Sequence, residues 1–230
     1  MSEHVFITSK NEQIPVIIET KRGIRNITLR PKTNCKHEIH ISKPWQVSTN
    51  DALNFLESKR HWVECIFANT PQKQKLCNGD KITILGQGIT LIHNPQQRGN
   101  TFNNAILTIG GSPDMFERRV RDFAKDKLLA EIKAIIKTTP REFWPRRITL
   151  RDTTSRWGSC STTGTMSFSW RLAFAPYDVM RYVVMHELAH TKHMDHSPQF
   201  WETVSELYGF GVERARRWLN VHGAELHKYF

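Results

Sequence analysis

The chain has 230 residues, 39% of them hydrophobic and 24% charged, which is an ordinary composition for one large globular domain or two small ones. It contains no apolar run near the roughly 18 residues of a membrane span, and residues 1–11 lack the apolar core of a secretory signal, so we expect a cytoplasmic protein without a membrane partner. The net charge of +11 favours encounters with nucleic acid or acidic proteins, although a solvated basic surface is the plainer interpretation.

The first half of the chain has the pattern of a mainly-β region, which we place at 1–111. Apolar residues at strand spacing predict a half-buried antiparallel sheet from the segments 14–20, 24–30 and 37–43. A cap at Thr49 or Asn50 then predicts one helix. Three further short strands are predicted at 81–85, 89–93 and 105–109.

The best internal boundary is Gly110-Gly111-Ser112-Pro113, because Ser112 as a cap and Pro113 as a first residue begin a long helix that reaches about Lys137. A cluster of basic side chains faces away from the apolar stripe of this helix: Arg118, Arg119, Arg121 and Lys125. They could bind phosphates, but the wet side of an amphipathic helix is the commoner case. Two strands are predicted after it, at 147–151 and 165–170.

The segment His186-Glu187-Leu188-Ala189-His190 reads H-E-x-x-H, within an apolar-faced stretch that predicts a helix over 176–193. Histidines four residues apart lie on one face of a helix, where one metal ion can bind both. Glu187 projects at an adjacent angle. It can therefore reach the open side of the metal ion without being a ligand.

A third histidine, His196, follows at an offset that a straight helix does not allow. It would lie roughly 15 Å along the axis from His186, too far to share a metal ion. We therefore expect the helix to stop and the chain to turn back between Met194 and His196. Ser197-Pro198 has the pattern of a cap followed by the first residue of a new helix.

Three histidine ligands leave one position of a tetrahedral zinc ion open to water, which is typical of a catalytic site. We therefore expect one zinc ion per chain, bound by His186, His190 and His196. Zinc lowers the pKa of bound water to about 7, and Glu187 is placed to act as the general base. An alternative ligand set replaces His196 with Glu202 or Glu206.

The segments around this motif resemble those of a known family. They are Arg156-Trp157-Gly158-Ser159-Cys160, Trp170-Arg171-Leu172, Ala175-Pro176 and Ser197-Pro198-Gln199-Phe200-Trp201. Together with the zinc motif, they resemble the YgjP-like metal-dependent hydrolases, which are related to the WLM and SprT-type zinc proteases. The resemblance implies that the three histidines hold zinc and that Glu187 is catalytic.

The same resemblance implies an α+β fold, with an N-terminal antiparallel β-sheet layer and one helix over 1–111. A zincin-like helical metallopeptidase domain with a short sheet follows over 112–230. In zinc peptidases an edge strand beside the metal commonly holds an extended substrate by main-chain pairing, and the segment 165–170 is the candidate for that strand here.

Candidate substrate-binding residues are Arg156, Trp157, Phe168 and Arg171, with a core tryptophan as the other interpretation of Trp157. A second donor to the oxyanion is expected from Tyr182, His193, Arg156 or Arg171. The four cysteines, Cys35, Cys65, Cys77 and Cys160, have no C-x-x-C spacing and are interpreted as reduced thiols. Cys160 has the pattern of a packing residue rather than of a nucleophile.

These observations favour a zinc-dependent metallopeptidase that hydrolyses peptide bonds in a peptide or protein substrate through a metal-activated water. The first alternative is a nucleic-acid-associated protease of the SprT or WLM kind, which would use the basic surface to reach DNA-bound proteins. A metal-dependent hydrolase that is not a peptidase, or a non-catalytic scaffold with a vestigial site, completes the set. The intact Glu187 argues against the scaffold.

Overall fold

A computed structural model describes residues 4–32, 37–69 and 73–230 of the chain. Two compact units make up the protein, Met1–Gln72 and Lys73–Phe230. The division therefore falls well before the boundary predicted at 111/112. In the described residues the fold is a mixed α+β one, with three small mixed sheets and six α-helices.

The first unit contains a four-stranded sheet with the strand order β1-β2-β4-β3. Its strands are β1 (His4–Ile7), β2 (Gln13–Lys21), β3 (Thr28–Lys32) and β4 (Glu38–Pro44). The prediction of an antiparallel sheet is wrong for the central pair, because β2 and β4 run parallel. The β3–β4 pair is antiparallel and sets β4 beside β2, with Val16 opposite Ile39. Alternation along each strand reveals which side chains are buried, but not the direction of the neighbouring strand.

Two helices follow the sheet where one was predicted, α1 (Thr49–Ser58) and α2 (Arg60–Asn69). The cap of α1 is Ser48, whose hydroxyl accepts from the Asp51 amide at 3.0 Å, one residue before the predicted cap. The helices separate at Lys59, where the Ser58 hydroxyl donates to the Phe55 carbonyl at 2.7 Å. A serine that bonds back to the preceding turn weakens the helical ladder at that point.

The second unit begins with a sheet of order β5-β6-β8-β7, in which β6 and β8 run parallel. Its strands are β5 (Lys81–Ile84), β6 (Gln87–Asn94), β7 (Asn100–Asn103) and β8 (Ile106–Gly110). β7 has no counterpart among the predicted strands. Buried residues of β6 and β8 share one core with the helix α3 (Phe116–Lys137), which is why these strands belong to the second unit.

A three-stranded sheet of order β10-β11-β9 comes next. Its strands are β9 (Arg147–Arg151), β10 (Gly158–Cys160) and β11 (Thr165–Ser169). The prediction that 165–170 forms an edge strand is wrong, because β11 pairs with β9 on one side and β10 on the other. β10 lies between the two predicted strands, forms a hairpin with β11 and leaves its other side at the edge of the sheet.

Three helices complete the second unit, α4 (Tyr177–Ala189), α5 (Pro198–Tyr208) and α6 (Val212–His222). α4 ends at Ala189, not at residue 193 as predicted. The Thr191 amide donates to the Leu188 carbonyl at 3.0 Å and the Lys192 amide to the Ala189 carbonyl at 3.1 Å, which tightens the last turn. Within the described residues, no helix is both long enough and apolar enough to cross a membrane.

Candidate metal centre

The end of α4 and the turn after it bring three imidazoles together. His186 lies in the last turn of α4, His190 is its C-terminal cap, and His196 follows in the connection to α5. One nitrogen from each ring lies within 4.8 Å of the other two. The chain therefore turns back after α4, as the offset of His196 requires.

The spacing of two of these nitrogens matches that of neighbouring ligands around a zinc ion. The Nε2 atoms of His186 and His196 are 3.2 Å apart. Zinc–nitrogen bonds of 2.0–2.1 Å in a tetrahedron place two ligand nitrogens about 3.3 Å apart. In the part of the chain that the structure describes, the group of potential ligands includes neither Glu202 nor Glu206. The observed arrangement thus favours His196 over either glutamate as the third ligand.

The surroundings of His186 and His190 favour their neutral forms and direct one nitrogen of each ring away from the centre. The Nδ1 atom of His190 lies 2.9 Å from the His193 carbonyl oxygen, which can only accept, so Nε2 keeps its lone pair. Nδ1 of His186 lies 3.4 Å from the Tyr182 hydroxyl. Burial, aided by the two other histidines, lowers the pKa of His186 to about 4, and burial also lowers the pKa of His190. Neutral imidazoles are the form that binds metal ions.

An aromatic pair at the start of α5 lies against the three rings. Ser197 caps this helix and Pro198 is its first residue, as predicted. The Phe200 side chain is 0% exposed, and its ring centroid lies 4.5 to 4.9 Å from those of the three histidines. Trp201 follows, 5.7 Å from His186 and 5.8 Å from His196. The imidazoles therefore have an apolar, close-packed wall on the side of α5.

Glu187 is the buried carboxylate of this site. Its side chain is 5% exposed, and among the described residues its Oε2 atom is buried without a hydrogen-bond partner. Burial raises the pKa of Glu187 to about 7, against the opposing positive charge of Arg156. Leaving a buried carboxylate oxygen unpaired costs stability, so the arrangement is typical of a functional group that awaits a partner.

Gly158 in β10 makes room for this carboxylate. A Cβ atom added at Gly158 would lie 2.6 Å from Cγ and 2.7 Å from Cδ of Glu187, closer than such atoms can approach. Only glycine fits at this position, and the edge strand therefore passes directly against Glu187. The sequence pattern identified the Trp157-Gly158 segment but not this contact, which joins residues 29 positions apart along the chain.

The comparisons with known proteins agree with this geometry. A family model described as YgjP-like, metallopeptidase domain, matches residues 25–222. The chain belongs to the YgjP-like family. Its domain is that of a metallopeptidase, a hydrolase that uses a metal ion to cleave peptide or protein substrates, and the three histidines form a group that can bind such an ion.

Among solved structures, this YgjP-like chain is similar to the crystal structure of the metallopeptidase zymogen of Pyrococcus abyssi abylysin. The two are 24% identical, the match covers 46% of this chain and 98% of that one, and the TM-score is 0.33. No curated protein matches the chain.

Two of the predicted substrate-binding residues of this YgjP-like chain are inaccessible. Phe168 is 1% exposed within the core, and Arg171 is 6% exposed. Arg171 donates to Asp152 at 2.9 Å and to the carbonyl oxygen of Tyr229 at 2.8 Å. Because so little of either side chain is accessible, this burial argues against contact of Phe168 or Arg171 with a substrate. The same burial removes Arg171 from the candidate oxyanion donors.

The other two predicted residues directly precede Gly158, the residue that lies against Glu187. Arg156 is exposed, and its charge acts on the Glu187 carboxylate. The Trp157 ring is half-buried, with its centroid 5.6 Å from that of His227. Arg156 therefore remains a candidate for contact with substrate, and Trp157 has the packing that the core interpretation expected.

The described cysteines are free thiols, and the surroundings of Cys160 do not favour its reactive form. Cys65, Cys77 and Cys160 are free, and Cys35 lies outside the described residues. Burial and the nearby Glu187 charge raise the pKa of the Cys160 thiol. Because the thiolate is the reactive form, this environment favours the packing role predicted for Cys160.

The basic side chains of α3 are largely engaged within the protein. Arg119 donates to the Gly110 carbonyl oxygen at 2.6 Å, and the Lys125 ammonium lies 5.5 Å from the Trp170 ring centroid. Arg118 pairs with Asp122 at 3.8 Å. These contacts give no support to a phosphate-binding surface on this helix.

Proposed function

We propose that this YgjP-like protein is a zinc-dependent peptidase in which His186, His190 and His196 hold one zinc ion per chain and Glu187 is the general base. The observation that carries the proposal is the buried, unpaired Glu187 carboxylate on α4, next to three converging imidazoles, two of which lie on this helix or at its C-terminal cap. A zincin-like arrangement is part of the proposal, with α4 beside the short β9–β11 sheet in the region 112–230.

Each residue has a defined task in this proposal. When bound, zinc supplies the Lewis acidity that lowers the pKa of water and polarises a peptide carbonyl. Glu187 takes the proton from the attacking water and delivers it to the leaving amine. A carboxyl with its pKa raised to about 7 suits both tasks, because it can accept and release a proton near neutral pH. Arg156 is the exposed cation beside it and is placed to attract the developing negative charge.

The edge of the catalytic sheet is a second part of the proposal. Within the described residues β10 pairs with β11 on one side, so main-chain groups on its other side are free to pair with an extended peptide. Gly158 of β10 already lies against Glu187. A peptide paired with β10 would therefore run past the general base, a role that the sequence analysis had assigned to the segment 165–170.

The test combines metal content with turnover. The purified chain is expected to hold about one zinc ion and to cleave members of a fluorogenic peptide library, with loss of cleavage on chelation and recovery on addition of zinc. Glu187→Gln is expected to keep the zinc and to lose cleavage by about 10²–10⁴-fold, the range for removal of a general base. Glu202→Gln, an exposed position on α5, is the matched control and should retain full activity.

Two results would contradict the proposal in different ways. Full activity of Glu187→Gln would remove the assigned base. Cleavage of ester or amide model compounds without cleavage of any peptide would leave a metal-dependent hydrolase of another substrate class.

A further inference from the structure

His196 differs from the other two histidines of the candidate centre in how its ring is held. It is exposed, and it lies in the connection between α4 and α5 rather than on a helix. Nδ1 of His190 faces a carbonyl oxygen and Nδ1 of His186 faces a hydroxyl. Among the described residues, the hydrogen-bond contact of the His196 ring is with His186 itself, at 3.2 Å. Aromatic packing must therefore provide the remaining restraint on this ring.

Trp201 provides a large part of that packing. The centroid of its indole ring lies 5.8 Å from that of the His196 ring, and the two ring planes are tilted by 32°. Phe200 contacts His196 from another direction, at 4.8 Å and 74°. Phe200 is fully buried and needs no further support, whereas Trp201 is only half-buried.

The support for Trp201 comes from α6. The Arg216 guanidinium carbon lies 4.6 Å from the centroid of the Trp201 ring, within the range of a cation–π contact. Arg216 is itself oriented by Glu213, to which it donates at 2.9 Å one turn earlier on the same helix. The exposed ion pair of Arg216 and Glu213 on α6 is thus connected to His196 through the indole ring of Trp201.

We propose that Arg216 and Trp201 are positioning residues that hold the His196 ring in its ligating orientation and so slow the loss of the metal ion. The inference rests on the proposed function, in which His196 is the third zinc ligand. Neither residue touches the metal ion; Arg216 acts through Trp201, and Trp201 acts through His196.

The positive charge of Arg216 makes the inference testable, because its electrostatic effect alone predicts the opposite change in zinc affinity. A cation near a divalent metal ion weakens metal binding, so removal of the charge alone would tighten it. Loss of the support for Trp201 would weaken binding and speed metal release. The sign of the change therefore separates positioning from simple electrostatics.

The experiment uses the full-length, zinc-loaded protein and measures zinc release to an excess of a chromogenic chelator, together with the zinc dissociation constant by competition. Arg216→Ala is expected to speed release and weaken binding by about two- to five-fold, the range that corresponds to an exposed cation–π contact. Arg216→Lys keeps a cation over the ring and should recover most of the wild-type value. Arg217→Ala removes the same charge from the next position of α6 and should not weaken binding.

A double-mutant cycle shows whether Arg216 affects zinc binding only through its contact with Trp201. Trp201→Leu keeps an apolar side chain but removes the aromatic face, and it should weaken zinc binding at least as much as Arg216→Ala. Adding Arg216→Ala to Trp201→Leu should then change the dissociation constant no further, because the contact is already gone. Thermal unfolding of the metal-free proteins is the check that each variant is folded.

The outcomes separate the inference from the proposed function. A wild-type chain that binds no zinc would overturn both. A wild-type chain that binds one zinc ion, with Arg216→Ala releasing it no faster than wild type or Arg217→Ala, would overturn the positioning role alone. Additive effects of Trp201→Leu and Arg216→Ala would also overturn it, because they would show that the two side chains act separately.

Discussion

The two four-stranded sheets of this protein have the same topology but different tasks. In each, an antiparallel pair is joined through a parallel central pair to a second antiparallel pair, in the orders β1-β2-β4-β3 and β5-β6-β8-β7. The first sheet shares a core with the short helices α1 and α2. The second shares a core with α3 and with α4, the helix that carries His186 and Glu187.

The same strand arrangement packs on two short helices in the first unit, and on the helices that carry the candidate site in the second. In the second unit, the turn between β5 and β6 reaches the segment before α4, where the Leu85 amide donates to the Ala173 carbonyl at 2.7 Å. Damage to the second sheet should therefore reach the metal centre. Damage to the first should stay within its own unit.

The largest expected effect comes from opening a cavity in each sheet. Leu107→Ala in β8 and Ile41→Ala in β4 truncate side chains that are 0% exposed, and each should destabilise its unit by about 2–5 kcal/mol. Leu107→Ala should also reduce zinc retention, whereas Ile41→Ala should not. Denaturant unfolding followed together with zinc release checks both, and equal zinc loss in the two variants would break the comparison.

Gly158→Ala tests how closely the catalytic sheet approaches the site. The added methyl would overlap the Glu187 side chain, so peptide cleavage should fall about 100-fold, as expected when a catalytic group is displaced by about 1 Å. Zinc content should stay near one, because no histidine is displaced. Gly88→Ala in β6 is the matched control, since a Cβ there meets nothing within 4 Å. Wild-type cleavage by Gly158→Ala would mean that the contact has no role in catalysis.

Ser48→Ala tests whether a loss of stability in the first unit leaves the zinc site unchanged. It removes the hydroxyl that accepts from the Asp51 amide, while the Ser48 backbone amide can still donate to the Asp51 carboxylate, and the expected loss is about 1 kcal/mol in the free energy of unfolding of that unit. Zinc affinity and peptide cleavage should not change. Chemical denaturation and a zinc titration on the same sample measure the two quantities. A weaker zinc site in this variant would show that the first unit supports the centre.

Tyr182→Phe has the smallest expected effect and addresses the second unit. It removes the hydroxyl that faces Nδ1 of His186 at 3.4 Å. Because this contact is long, zinc affinity should fall only about three-fold, which is less than the usual effect of removing a hydrogen-bond partner of a metal-binding histidine. Tyr208→Phe is the control, since its hydroxyl donates to the Asp178 carbonyl at 3.2 Å and faces no histidine. Competition with a chelator measures both, and equal affinities would remove Tyr182 as a partner of the site.

Two corrections show where prediction from sequence failed. Alternation identified β11 and the buried position of Phe168. It could not reveal that the preceding segment forms a further strand, β10, which pairs with β11 and takes the edge of the sheet. Arg171 was interpreted as a substrate residue, yet it bonds the backbone of Tyr229 and Phe230, some 58 and 59 residues later. Such partners are set by the path of the whole chain and have no signature in local spacing.

Features that depend on neighbours within about ten residues were predictable from the sequence: the common helix face of His186 and His190, the bend that His196 requires, and the cap of α5 at Ser197. Helical periodicity and capping are local, and they can be deduced from residue order alone. Only the tertiary structure decided the parallel central pairs of the two sheets, the approach of Gly158 to Glu187 and the stacking of Arg216 on Trp201. These contacts join distant segments, and burial and shape complementarity of the folded chain select them.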